Sequence, residues 1–316
     1  MNVLKVLVSH DADDEIGRHL LTEIPGVQVL PYDPVAPAPT AEQQTADVFL
    51  PPYRGSHRPL PFLAQLPTLR MVQLLSAGSD EYEPHVATDV LLCTARGAHA
   101  RPVAEWILSA ILAQLRQWPA LVRAQDEHVW AHRKFALDTL ADKKVLVLGA
   151  GAIGTAAADL VRAFGATATL VARSARPGVH AVSELHGLLG EHQVLIITAP
   201  LTPETERLVD ASVLAALPDD ALVVNAGRGR IVDTDALVAE LQSGRIRAAL
   251  DVTDPEPLPA DHPLWALPEV ILSPHSARTV PGTTALCYQV AGEQIRQFLS
   301  GQTPTNVVTV RLRDNP

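Results

Sequence analysis

Short apolar runs alternate with proline-rich breaks over the first hundred residues: "VLKVLVS", "VQVL", "DVFL", "MVQLL" and "VLLCT" in order. Each is too short for a helix and apolar nearly throughout, which predicts buried strands. "PYDPVAPAP" separates the second from the third as a loop. Residues 102–116, "PVAEWILSAILAQLR", space their apolar positions by three and four, with Pro102 suited to a first turn. They predict a long helix, apolar over most of its circumference, as a helix buried between domains would be. From Lys143 the pattern becomes regular: "KKVLVLG", "ATATLVA", "QVLIITA", "ALVVNA", "IRAALDV" and "EVILSPH" are apolar runs separated by helical stretches. That alternation predicts an α/β fold with a parallel sheet covered on both faces. "TTALCYQVAGEQIRQFLSG" has helical spacing up to Gly301, and "NVVTVRL" after it reads as a strand or tail returning to the first domain. The expected layout is one domain inserted between two pieces of a smaller one.

Composition narrows this picture without changing it. A chain of 316 residues, 47% hydrophobic and 19% charged, can fill two cores. A net charge of -10 argues against nucleic acid or an anionic membrane as partner, though a local basic pocket at Arg173 and Arg176 is compatible with that average. Cys93 and Cys287 form no CxxC, so neither a zinc knuckle nor a disulfide framework is expected, and a reducing, cytoplasmic setting is. "MNVLKVLVSH" is too short for a signal peptide and reads as a first strand. No apolar run approaches the roughly 20 residues needed to span a bilayer.

"GAGAIG", Gly149 to Gly154, follows a predicted strand, and Ala152 and Ile153 open the next helix. Gly149 would permit the tight turn, Gly151 the approach of a pyrophosphate, and Gly154 close packing of helix on strand. The helix N-terminus beyond offers N–H donors and partial positive charge to phosphates. The next strand closes at Ala172, about where an NAD site places an acid for the ribose hydroxyls. Here the chain reads Ala172, Arg173, Ser174, with Arg176 close behind. Guanidinium and hydroxyl donors suit a 2'-phosphate, so NADP(H) is expected to be preferred, with NAD(H) still open. The alternative is that both arginines are ordinary solvated loop charges.

"NAGRGRIVDTDAL", "ALDVTDPEP" and "SPHSA" lie at the ends of later strands, the edge where open parallel sheets hold ligands. They bring Arg228, Glu256 and His275. With "SAGSD" (Ser76 to Asp80), "VAEWILSAILA" and "TAPLTPETERLVD" (Thr198 to Asp210), these segments resemble the D-isomer-specific 2-hydroxyacid dehydrogenase family over nearly the whole chain. The resemblance implies two Rossmann-like doubly wound parallel-sheet domains. Residues 1–96 with 286–316 would form the substrate domain and 97–285 the dinucleotide-binding domain, with the cleft at their junction.

The resemblance also implies roles. Arg228 would hold a substrate carboxylate by a two-pronged hydrogen bond, His275 would exchange a proton with the carbonyl oxygen, and Glu256 would stabilise the imidazolium. Asp251 matches a nicotinamide carboxamide anchor, Thr198, Pro200 and Thr205 the segment along the cofactor, and Ala226 counts with the cofactor contacts. Ser76, Ala77 and Gly78 would offer backbone N–H groups to the substrate carboxylate.

"FLPPYRGS" departs from expectation: Tyr53 and Arg54 either reach the substrate's far end or form an exposed turn. His128 and His132 of "HVWAH" stand one helical turn apart, but without a glutamate or third ligand they predict no metal site. The expected activity is NADPH-preferring reduction of a small 2-oxo acid such as glyoxylate or hydroxypyruvate to the D-2-hydroxy acid, by a plausible homodimer. Rivals are a related dehydrogenase of phosphite or formate, and a dinucleotide-sensing corepressor-like binding protein.

Overall fold

The computed structural model describes residues 3–54 and 58–308. Gly55 and Ser56 of the "FLPPYRGS" loop and residues 309–312 of the last apolar stretch lie outside them. The chain forms two compact units, Met1–His99 with Val280–Pro316, and Ala100–Thr279.

In the first unit, β1 (Leu4–Ser9), α1 (Glu15–Thr22), β2 (Val27–Tyr32), β3 (Val48–Leu50), α2 (Leu60–Leu63), β4 (Met71–Gln73) and β5 (Leu91–Cys93) follow one another. The strands make a parallel sheet in the order β2-β1-β3-β4-β5. Strand period sorts the core into two layers: Leu4, Val6 and Val8 join one cluster, Leu7 of the same strand the other.

The second unit begins with α3 (Ala100–Leu115) and α4 (Trp118–Asp126), then runs through β6 (Lys144–Leu148), α5 (Ala152–Ala163), β7 (Thr167–Ala172), β8 (Val179–Ala181), α6 (Leu185–Leu189) and β9 (Val194–Ile197). It continues with α7 (Ala211–Ala215), β10 (Leu222–Asn225), α8 (Thr234–Gln242), β11 (Arg247–Leu250) and β12 (Val270–Leu272). Its parallel sheet has the order β12-β11-β10-β9-β6-β7-β8. Val145 and Val147 face the layer built with α3 and α5, while Leu146 and Leu148 face the layer of α6, α7 and α8. Continuous apolar runs are what a sheet buried on both faces requires.

The chain returns to the first unit through α9 (Thr283–Leu299). There Val307 bridges Cys93 antiparallel, tying the tail to β5. The two units divide after His99 and after Thr279. His99 is itself buried in the first unit, its Nε2 3.2 Å from the Cys287 sulfur on α9. Apolar periodicity does not reveal β8, which is three residues long and pairs at the sheet edge. The "HVWAH" spacing is not helical: α4 ends at Asp126 and His128 has φ 56°. Among the described residues no helix is long and apolar enough to cross a membrane, and no cluster of metal ligands occurs.

Candidate active site

The order of the seven-stranded sheet reverses at β6, with β7 on one side and β9 on the other, and the glycine loop leaves the sheet there. Gly149 has φ 116°, and a Cβ on it would sit 2.5 Å from the Ala199 nitrogen. A Cβ on Gly154 would collide with the Gly149 carbonyl. Gly151, the N-cap of α5, faces open space. Two glycines therefore close the turn onto β9 and the third leaves room beside free helix N–H groups, a cradle that fits a dinucleotide pyrophosphate. The Thr198 hydroxyl donates to the Gly149 carbonyl at 2.9 Å, and the Thr205 hydroxyl to the Pro200 carbonyl at 2.7 Å. Both threonines thus shape this edge through their side-chain hydroxyls.

β7 ends at Ala172, and Arg173, Ser174 and Arg176 follow on an exposed turn. Arg176 Nη2 donates to the Ala150 carbonyl at 2.8 Å, which docks this guanidinium on the glycine loop. Arg173 has no hydrogen-bond or ion-pair partner among the described residues.

Arg228, Glu256 and His275 come from the loops after β10, β11 and β12. Buried Asn225 organises the first: its side chain donates to the Arg228 carbonyl and accepts from the Gly227 N–H, each at 3.0 Å. Ala226 is half-buried between them. Gly229 explains the second half of the "RG" pair, because a Cβ there would strike the Thr253 carbonyl and lie 2.7 Å from the Asp254 nitrogen. Only glycine lets the loop carrying Glu256 approach the loop carrying Arg228.

His275 Nδ1 is 2.7 Å from Glu256 Oε1. Burial raises the Glu256 carboxyl, but the hydrogen bond from His275 and the charges of His275 and Arg228 outweigh it, so the carboxyl is held below its usual range. His275 has φ 51°, the left-handed region that an L-residue rarely occupies. Asp251 holds it there. Asp251 Oδ1 accepts from the Ser273 hydroxyl at 2.5 Å, from Ser276 N–H at 2.8 Å and from Ala277 N–H at 3.1 Å, while its carbonyl accepts the His275 N–H at 2.7 Å. The acid is thus a clamp on the histidine turn, a task its place in "ALDV" does not disclose. Among the described residues Oδ2 accepts only the Ala277 N–H, at 3.1 Å.

In the first unit Ser76 Oγ donates to the Gly78 carbonyl at 2.7 Å, and the Ser76 carbonyl accepts the Ala95 N–H at 2.8 Å, which fixes the Ser76–Ala77–Gly78 backbone. Tyr53 is 5% exposed and belongs to the apolar layer with Val6, Leu50 and Tyr288, so it is not an exposed turn residue. Arg54 remains half-exposed, 3.7 Å from Asp13.

Residues 108–277 match the D-isomer specific 2-hydroxyacid dehydrogenase, NAD binding domain family. Among curated proteins the chain is 34% identical over 264 residues to glyoxylate reductase of Aeropyrum pernix, covering 78% of each chain. D-3-phosphoglycerate dehydrogenases are also similar, that of Mycobacterium bovis at 33% identity, with 78% of this chain and 48% of that one covered. Among solved structures, a D-isomer specific 2-hydroxyacid dehydrogenase from Xanthobacter autotrophicus Py2 in complex with NADPH and MES has a TM-score of 0.81 at 30% identity, with 98% of both chains covered. An NADPH-dependent glyoxylate/hydroxypyruvate reductase from Sinorhizobium meliloti in complex with NADP and sulfate has a TM-score of 0.82 at 26% identity, again covering 98% of both. With its glycine cradle, strand-end arginine and histidine–glutamate pair, the chain belongs to the D-isomer-specific 2-hydroxyacid dehydrogenase family, a family of NAD(P)-dependent oxidoreductases.

Proposed function

We propose that this enzyme reduces a small 2-oxo acid of the glyoxylate or hydroxypyruvate type to the D-2-hydroxy acid, with NADP(H) preferred over NAD(H). The observation that carries the reading is the His275–Glu256 pair placed within the field of Arg228. A dinucleotide held at the Gly149, Gly151 and Gly154 cradle would supply hydride. Arg228 holds the substrate carboxylate through its planar fork, which fixes the carbonyl and draws charge toward its oxygen. His275, with Nδ1 taken by Glu256, gives the proton on Nε2 to that oxygen as the carbon–hydrogen bond forms, and takes it back in oxidation. Asp251 positions the histidine turn, and its Oδ2 keeps acceptor capacity for a carboxamide. We assign the Ser76–Gly78 backbone N–H groups to the substrate carboxylate and Arg54 to selection among substrates. On these assignments the first unit serves as the substrate domain and the second as the dinucleotide-binding domain.

Cofactor choice follows from what stands after β7. Ala172 presents no acid to repel a 2'-phosphate, Arg173 and Ser174 offer donors, and Arg176 is already seated on the glycine loop. Arg173→Ala raises KM for NADPH by about tenfold and leaves KM for NADH within about twofold, the size expected of one charge-assisted hydrogen bond. Steady-state kinetics with both cofactors checks this, and equal losses for both would remove Arg173 from phosphate recognition.

We place the enzyme in the cytoplasm as a homodimer. Both cysteines are buried. Trp118, Val122, Val129, Trp130 and Leu137 leave an exposed apolar surface on α4 and the loop after it, Trp130 being 90% exposed. Apolar surface of this kind marks an association face. Light scattering that returned the mass of a single chain would contradict the dimer.

A further inference from the structure

Asp14 is a buried acid for which the reaction has no use. It stands in the run "DADDE" beside partly or fully exposed acids, yet it is completely buried. Three parts of the first unit converge on it. The Tyr288 hydroxyl on α9 donates to Oδ1 at 2.9 Å, the Tyr53 N–H after β3 donates to the two carboxylate oxygens at 3.2 and 3.3 Å, and the Ser9 hydroxyl at the end of β1 also bonds it. The arrangement is built in, since a Cβ on Gly17 would run into the Tyr288 ring. A glycine inside a helix is costly relative to alanine, and here it admits the ring that reaches Asp14.

The neighbouring acid completes a grip. Asp13 lies 3.7 Å from Arg54, whose guanidinium sits 5.9 Å from the Tyr53 ring centroid. Asp13 and Asp14 thus hold the side chain of Arg54 and the backbone just before it. β1 and β3, which deliver the two loops, are neighbours where the order of the five-stranded sheet reverses. Open α/β sheets bind ligands outside the carboxyl ends of strands at such a point.

We propose that Asp14 is a positioning residue that sets how Arg54 is presented, and that the charge on its carboxylate tunes the choice between 2-oxo acids. The proposal rests on the assignment of Arg54 to substrate selection. As a carboxylate, Asp14 accepts from Tyr288, Tyr53 and Ser9 together. Once protonated it turns a donor toward donors, and the hold on the Tyr53 N–H slackens. Burial pushes this carboxyl up to about 6, against the hydrogen bonds from Tyr288, Tyr53 and Ser9, while Asp11 raises it further. The other groups around it are Asp13 and Arg18 on its own segment, Tyr32 on β2 and Arg54 beyond β3.

The test is the ratio of kcat/KM for hydroxypyruvate to that for glyoxylate between about pH 5 and 8. Both substrates share the carboxylate and carbonyl, so effects at Arg228 and His275 cancel and the ratio reports only on the far end. In the native enzyme the ratio changes by about threefold or more with an inflection near pH 6. Asp14→Asn makes it flat, and Tyr288→Phe, which loses a donor that favours the carboxylate, moves the inflection upward. A flat native ratio overturns the proposal. So does an inflection unmoved in either variant, and Tyr288→Phe decides alone if Asp14→Asn does not fold. Arg54→Ala separates the two claims: if it changes the ratio while the Asp14 and Tyr288 variants do not, Arg54 keeps its role and Asp14 loses it. If Arg54→Ala leaves the ratio native at every pH, the assignment of Arg54 falls and the inference with it.

Discussion

Replacing Arg228 with alanine lowers kcat/KM for reduction by about 10³-fold and leaves dinucleotide affinity unchanged, the loss expected when a donor to developing charge is removed. The selectivity follows from where the groups stand. The glycine cradle follows β6, whereas Arg228 follows β10 on a loop that Asn225 holds through backbone atoms alone. Removing the side chain keeps both Asn225 bonds and loses the one from Arg228 Nη1 to the Gly227 carbonyl. Arg228→Lys keeps the charge but not the planar fork, and remains about 10²-fold impaired. Single-turnover rates with dinucleotide titrations on both variants check this. Near-native turnover by the lysine variant would reduce Arg228 to a source of charge.

Glu256→Gln lowers kcat/KM in both reaction directions by about tenfold or more, the size expected when a charge-assisted hydrogen bond gives way to a neutral one. His275, together with Arg228, holds the Glu256 carboxyl below its usual range against the burial that raises it, so the native partner of His275 Nδ1 is a carboxylate. The amide keeps the shape of that partner and loses its charge. Because the same pair serves proton donation in reduction and proton uptake in oxidation, both directions suffer together. Values of kcat/KM in both directions, taken where hydride transfer limits the rate, check this. Native values in both directions would contradict the coupling of Glu256 to His275.

Fold class and strand edges were legible because parallel strands buried on both faces leave unbroken apolar runs, and because turn chemistry such as "GAGAIG" is local. Arg228, Glu256 and His275 were legible for the same reason: each closes a recognisable run at the carboxyl edge of the sheet. The residues that position them were not. Gly229 is required by the backbone of residues 253 and 254, and the clamp formed by Asp251 depends on residues 273 to 277. Tyr53 reads in the sequence as either a substrate contact or an exposed turn residue, because its burial comes from α1, β1 and α9, parts of the first unit remote in sequence. Asp14 looks like any acid at a helix start, and what distinguishes it is a hydroxyl 274 positions away. β8 was too short for its period to show, and nothing before Trp130 marks the helix as already ended.

The central claim is that this enzyme reduces a small 2-oxo acid with a preference for NADPH, and steady-state turnover tests it most directly. Purified protein is given glyoxylate and hydroxypyruvate with NADPH and NADH in parallel, and loss of reduced nicotinamide is matched against 2-hydroxy acid formed. Saturable turnover with one hydroxy acid per cofactor oxidised, and kcat/KM at least about tenfold higher with NADPH, is the predicted result. Absence of turnover with every small 2-oxo acid, or a higher kcat/KM with NADH, would contradict it.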